Sequence, residues 1–317
     1  MNVLSLFDGI SCGMVALERA NIKVDNYYAS EIDENAITIS QSNYPNIHRL
    51  GDVRSITKEV IESLPKIDLL LGGSPCQGFS KNGNNLNFEH PQSKLFFNFV
   101  EILELIRQHN NPNVLFLLEN VDMKDAWKDV ITQYVGVLPI KINSKLLSAQ
   151  NRPRIYWTNI NGVVAPKDAN ISLKDILEDV VDLNTKQYKG ILVEDTLTPK
   201  ELSLIDVVEG EVRIKQPTKK GYIVANDGDS INLAYPSSTT RRGRVIKQKS
   251  STLDKACYIY VYSDGVLRKL RMSELEKLQT LPVGYTSSVS PTNGKIGLGN
   301  GWTVDIIAHI LKNIRDY

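Results

Sequence analysis

Three kinds of side chain in this sequence could do chemistry at the end of a strand. The first is the thiol of Cys76, in the heptapeptide Ser74-Pro75-Cys76-Gln77-Gly78-Phe79-Ser80. A lone cysteine is most often a small buried hydrophobe. Polar and flexible residues surround this one, and no apolar run contains it, so it is placed to react rather than to pack. The second is Glu119, directly after the apolar run Val114-Leu115-Phe116-Leu117-Leu118. A carboxylate there is costly to bury without a partner, which points to a site more than to packing. The third is the pair Arg152 and Arg154, on either side of Pro153. Fixed spacing and a restricted backbone suit two guanidiniums to an anionic or carbonyl-bearing group, a surface salt-bridge pair being the bland alternative.

These groups need a scaffold that brings strand ends together. Ile67-Asp68-Leu69-Leu70-Leu71 reads as a buried strand, and Gly72-Gly73 lets the chain turn sharply before Cys76. Residues 2–7 predict another buried strand, followed by the glycine turn Asp8-Gly9-Ile10-Ser11-Cys12-Gly13 and a helix over 14–20. Strand, glycine turn and helix form half of a nucleotide-binding βαβ unit, although the glycine spacing is not that of a dinucleotide fingerprint. A second strand over 26–30 ends at Glu31, placed to accept hydrogen bonds from ribose hydroxyls, while Asp33 or Glu34 better suits the start of the next helix. Asp52 follows a short strand over 48–50. Helices are expected over 58–64, 93–108 and 123–134, with a strand at 155–158. Residues 81–91, rich in asparagine, read as a mobile loop long enough to be a lid.

The rest of the chain changes character. Over 161–250, helical periodicity is confined to 173–180 and 198–209 amid short strand-like runs. Charge separates sharply within it: residues 161–211 hold five Lys and Arg against eleven Asp and Glu, and 212–250 hold nine against two. A basic stretch in a chain of net charge +1 suits a phosphate-facing surface, or simply a solvated loop. A helix is expected over 271–280, a glycine loop over 296–301 and a final helix over 302–314. The expected fold class is α/β: a Rossmann-like sheet over 1–160, a smaller β-rich domain over 161–250, and a segment over 251–317 returning to the first.

The chain has 317 residues, 42% hydrophobic and 23% charged, ordinary for a globular protein. Its three cysteines form neither a disulfide framework nor a zinc pattern, so no metal is expected and a cytoplasmic location is. No signal peptide or membrane-spanning run is read, and no membrane partner is expected.

Taken in order, FDGISCG, EIDENA, GDVRSI, GGSPCQGFS, LLENV, QNRPRIYW, RKLRMSELEKLQTLP and GLGNGWTVDIIAHI resemble the motifs of cytosine-5 DNA methyltransferases. The resemblance covers residues 2 to about 157 and 252 to about 311. It departs from many bacterial relatives where Ser11 and Cys12 stand in place of glycines, and in this respect looks closer to the de novo type.

The resemblance implies S-adenosylmethionine as cofactor. Phe7, Asp8, Gly9, Ile10, Glu31, Ile32, Asp52, Val53, Gly73, Pro75, Leu95, Asn300, Trp302, Thr303 and Val304 would hold it, with Glu31 on the ribose and Asp52 on the adenine amino group. Cys76 would attack C6 of a cytosine flipped out of double-stranded DNA. Glu119 would stabilise charge at N3, Arg154 would reach O2, and Arg152 would support Glu119 or the loop. Gln77, Ser80, Lys81, Arg241, Arg242 and Arg244 are the expected DNA contacts. An associated restriction endonuclease and a monomeric state are further expectations. Two alternatives stay open: a tRNA substrate, disfavoured because none of the three cysteines lies in the Cys-Phe-Thr tripeptide of that branch, and a relative that binds DNA without catalysis, disfavoured because the four reactive residues are present.

Overall fold

The computed structural model describes residues 1–74, 91–179, 183–240 and 242–314. Strands of four to seven residues, apolar at the centre of the sheet, build the first sheet. Its elements are β1 (Asn2–Leu6), α1 (Cys12–Arg19), β2 (Asn26–Ser30), α2 (Glu34–Asn43), β3 (His48–Gly51), α3 (Lys58–Ser63), β4 (Leu69–Gly72), α4 (Pro91–His109), β5 (Leu115–Val121), α5 (Asp125–Val135), β6 (Ile140–Asn143) and β7 (Pro153–Thr158). The strand order is β3-β2-β1-β4-β5-β7-β6. The first five strands run parallel, and β7 is antiparallel to both its neighbours.

Apolar runs without alternation are what a sheet covered on both faces requires. Alternate residues feed two separate cores. Val3, Leu69, Leu71, Leu117 and Tyr156 face α1 and the C-terminal helices, whereas Leu4, Leu6, Leu70, Phe116 and Trp157 face Phe96, Phe99 and Ile131 of α4 and α5. The crossovers from β1 to β2 and β3 run to one side and that from β3 to β4 returns to the other side of β1, so the ends of β1 and β4 flank a topological switch point, where open α/β sheets bind ligands.

The chain then forms β8 (Thr185–Tyr188), β9 (Ile191–Glu194), α6 (Pro199–Leu202), β10 (Ile205–Val208), β11 (Glu211–Lys215), β12 (Tyr222–Ala225), β13 (Asp229–Asn232), β14 (Arg244–Ile246), β15 (Ile259–Ser263) and β16 (Val266–Lys269). These make a three-stranded sheet, β10-β11-β12, and a six-stranded one, β14-β13-β15-β16-β9-β8, around their own apolar cluster. The helix expected over 198–209 is therefore only α6, opened by a capping box between Thr198 and Glu201, before the β-branched run of β10 takes over. The helix expected over 173–180 shrinks to a 3-10 turn at Lys174–Ile176. Residues past 250 do not return at once: β15 and β16 complete the six-stranded sheet.

The return is made by α7 (Met272–Leu278), α8 (Pro291–Asn300) and α9 (Val304–Leu311). Its entry is fixed by a buried bidentate ion pair, Arg268 to Glu274 at 2.7 and 2.9 Å, whose carboxylate also accepts the Glu178 and Arg271 backbone N–H groups. The glycine loop expected over 296–301 is instead the end of α8. Its glycines serve close packing: a Cβ on Gly299 would stand 2.6 Å from the Asp254 backbone.

Candidate active site

The turn after β1 and the end of β2 are tied by one carboxylate. Glu31 Oε2 accepts the Gly9 N–H at 2.8 Å, and Oε1 accepts those of Ile32 and Asp33 at 2.7 and 2.9 Å. Asp33 caps α2, as its position predicts, by accepting from Asn35 and Ala36. Asp52 opens the 3-10 turn after β3, accepts the Arg54 N–H at 2.9 Å and pairs with the Arg54 guanidinium.

Asp8 points inward. Tyr27 donates to its Oδ1 at 2.8 Å, the Ser11 hydroxyl bonds its Oδ2, and the Arg49 guanidinium lies 3.7 Å away. Burial pushes the Asp8 carboxyl above the ordinary carboxylate range, against those bonds. Asp8 borders the cavity described next, but its carboxylate is engaged with protein groups.

Beyond β4, Gly73 faces Glu119. Glu119 lies within β5, not after it, because antiparallel β7 extends the ladder to Val121. The register sets Glu119 opposite Tyr156 and Val121 opposite Arg154, so Glu119 and Arg154 are diagonal neighbours on one face. Arg154 Nε meets Glu119 Oε1 at 2.9 Å, with only 12% of each side chain exposed. Trp302 Nε1 donates to Oε2 at 3.1 Å. One residue on, the Asn120 amide bonds the Ser74 hydroxyl at 3.2 Å, anchoring the chain two residues before Cys76.

These groups share a single cavity of 880 Å³. Phe7, Asp8, Gly9, Ile10, Glu31, Ile32, Asp52, Val53, Gly73, Leu95, Asn300 and Trp302, all expected at the cofactor, border it together with Glu119, Arg152 and Arg154. Thr303 and Val304 do not. Thr303 bonds Ser144 and Gln279 in the interior, and Val304 is fully buried, because α9 starts there and turns its first apolar residue into the core.

The family of C-5 cytosine-specific DNA methylases matches residues 1–316. The chain belongs to that family. It is 33% identical over 338 residues to the Type II methyltransferase M.NgoBV of Neisseria gonorrhoeae, covering 89% of this chain and 77% of that one. It is 26% identical to M.FnuDI of Fusobacterium nucleatum, covering 100% and 94%. Among solved structures, a putative DNA modification methyltransferase from an E. coli prophage superposes with a TM-score of 0.65 at 20% identity over 99% of this chain and 98% of that one. A DNMT2 variant of Spodoptera frugiperda gives 0.63 at 19%, with 98% of each covered. This is an enzyme of the DNA (cytosine-5-)-methyltransferase class.

The placement of the remaining site residues of this methylase is uneven. Pro75, Cys76, Gln77, Ser80, Lys81 and Arg241 lie outside the described residues, as does the loop expected over 81–91 apart from Pro91, which starts α4. Arg152 departs from its expected role. Its guanidinium donates to the Leu253, Gly299 and Gly301 carbonyls at 2.9, 3.1 and 2.9 Å, clamping β7 to the end of α8. Burial, with help from Arg154, pulls it down to about 9, so it stays charged at neutral pH. Arg242 is half-buried and Arg244 exposed at the start of β14, and neither borders the cavity. Cys12, Asn98, Lys255 and Asn293 border it without having been expected. Cys12 was hidden by its turn, and Asn293 lies in the first turn of α8, where no helix was expected. Burial pushes the thiols of Cys12 and Cys257 up to about 12, so neither supplies a thiolate. Among the described residues no cluster could hold a metal ion, and no helix is long and apolar enough to cross a membrane.

Proposed function

We propose that this chain methylates C5 of cytosine in duplex DNA through a covalent adduct between Cys76 and C6, after flipping the base out of the helix. The observation that carries this reading is the carboxylate of Glu119, held by Arg154 and Trp302 on the same cavity as the Gly9 turn and the Glu31 rim. The cavity fits S-adenosylmethionine in size and lining: apolar Phe7, Ile10 and Ile32 beside the acceptors Glu31 and Asp52. When bound, S-adenosylmethionine supplies an electrophilic methyl group.

Cytosine C5 is a poor nucleophile until a thiolate adds to C6. Cys76, two residues after the anchored Ser74, adds its sulfur to C6, and the C5–C6 electron pair becomes enamine-like at C5. Charge then moves onto N3 and O2. Glu119 shares a proton with N3, and Arg154 donates to O2. Arg154 has five N–H donors, of which one goes to Glu119 and one to the Pro153 carbonyl, leaving donors to spare. Once C5 carries the methyl group, removal of its remaining proton by a water expels the thiolate from C6 and restores the ring. Arg241, Arg242 and Arg244 in the basic 212–250 stretch contact DNA phosphates.

The test is incubation with labelled S-adenosylmethionine and either duplex DNA or tRNA. Label in DNA that disappears with Cys76→Ala, while cofactor binding stays within twofold, is the expected result. Label in tRNA alone refutes the DNA substrate, and transfer that survives Cys76→Ala refutes the adduct.

A further inference from the structure

The indole of Trp302 occupies an unusual junction. Its N–H is committed to Glu119 Oε2 at 3.1 Å, while Arg154 Nε holds Oε1 at 2.9 Å. The approach depends on Gly73, where a Cβ would stand 2.8 Å from Trp302 Nε1, 3.2 Å from its Cζ2 and 3.3 Å from Glu119 Oε2. On its far edge the ring meets Gly13 at the start of α1, whose Cβ would lie 3.7 Å from Cζ3. The same ring borders the cavity on the cofactor side. A carboxylate with one fixed donor on each oxygen cannot turn about its last bond without giving one of them up.

We propose that Trp302 is a positioning residue for the reaction: its indole N–H locks the rotation of the Glu119 carboxylate, so that the lone pairs left over face the pyrimidine. Tryptophan suits the task. Its indole is a donor only, and does not titrate, so it does not compete for the proton that Glu119 shares with N3. The proposal rests on the reading of Glu119 as the carboxylate that acts at N3.

A double-mutant cycle on the full chain separates the two claims. Single-turnover methyl transfer to duplex DNA is measured for Trp302→Phe, Glu119→Gln and the double variant, with the dissociation constant of S-adenosylhomocysteine measured for each. Trp302→Phe loses the donor and keeps a smaller aromatic ring in its place. It should slow single-turnover transfer at saturating cofactor about tenfold, the effect of one lost charge-assisted hydrogen bond. In the Glu119→Gln background the same change should cost less than twofold more. A second tenfold loss in that background, or weakened ligand binding at unchanged rate, overturns the role of Trp302 and leaves that of Glu119 standing. A Glu119→Gln variant of unchanged rate overturns both. If Trp302→Phe does not fold, Gly73→Ala, which drives the intact indole off the carboxylate, takes its place in the cycle with the same expected losses and the same refutations.

Discussion

Replacing Arg152 with methionine distinguishes a clamp from a catalytic group. The guanidinium makes three hydrogen bonds of 2.9–3.1 Å to carbonyls of Leu253, Gly299 and Gly301, and the residue is 3% exposed. Bonds from a charged donor contribute about 1.5–3 kcal/mol each, so about 4–9 kcal/mol of interaction is lost. Removing a buried cation returns several kcal/mol of desolvation. Methionine fills much of the volume, so little is added for a cavity. The net loss comes to about 3 kcal/mol, which lowers the melting temperature by about 4–5 °C in a chain of this size. Scanning fluorimetry or circular dichroism on the purified variant reads this directly. Methyl transfer should fall as well, because the Gly301 carbonyl adjoins Trp302. An unchanged melting temperature with abolished transfer would refute the clamp and restore the catalytic role that the family resemblance implies.

Three further outcomes follow from named contacts. Glu31→Ala removes the acceptor for three backbone N–H groups and should weaken S-adenosylhomocysteine binding at least tenfold by calorimetry, with the fold retained. Arg268→Met strands the fully buried Glu274 carboxylate and should cost about 3–5 kcal/mol, visible as a large fall in the urea midpoint. Asp8 holds its proton longer in the folded state than its ordinary value of 3.8 allows, so the folded protein binds more protons above that pH and loses stability as pH rises to the raised value. Asp8→Asn should remove that decline, and urea midpoints that fall equally in both proteins would count against it.

Much of the first sheet was legible because its central strands β1, β4 and β5 are buried on both faces and so read as apolar runs. Leu69-Leu70-Leu71 and Leu117-Leu118 could hardly be anything else. The pairing of Glu119 with Arg154 was expected only as a shared rim, since the diagonal register between β5 and β7 is a tertiary fact. Arg152 and Arg154 are identical in type, two residues apart, yet one faces carbonyls and the other a carboxylate. Nothing local distinguishes them. The glycines over 296–301 misled because in a sequence they look like freedom, while in the fold Gly299 permits contact between α8 and the 254–255 turn and Gly297 contact with Ile10. The hydrogen bond from Trp302 to Glu119 spans 183 residues and left no local trace.

That span has a consequence for biosynthesis. The wall of the cavity is assembled from the first turn of the chain and from α8 and Trp302, and behind it α1 and α9 are joined by the Arg19–Asp305 ion pair at 2.7 Å. A ribosome-bound chain in which Trp302 is still inside the exit tunnel has its glycine turn, its Glu31 rim and its Glu119 exposed, but no lock on the carboxylate. On that account the site is incomplete until the segment carrying Trp302 docks against the first turn.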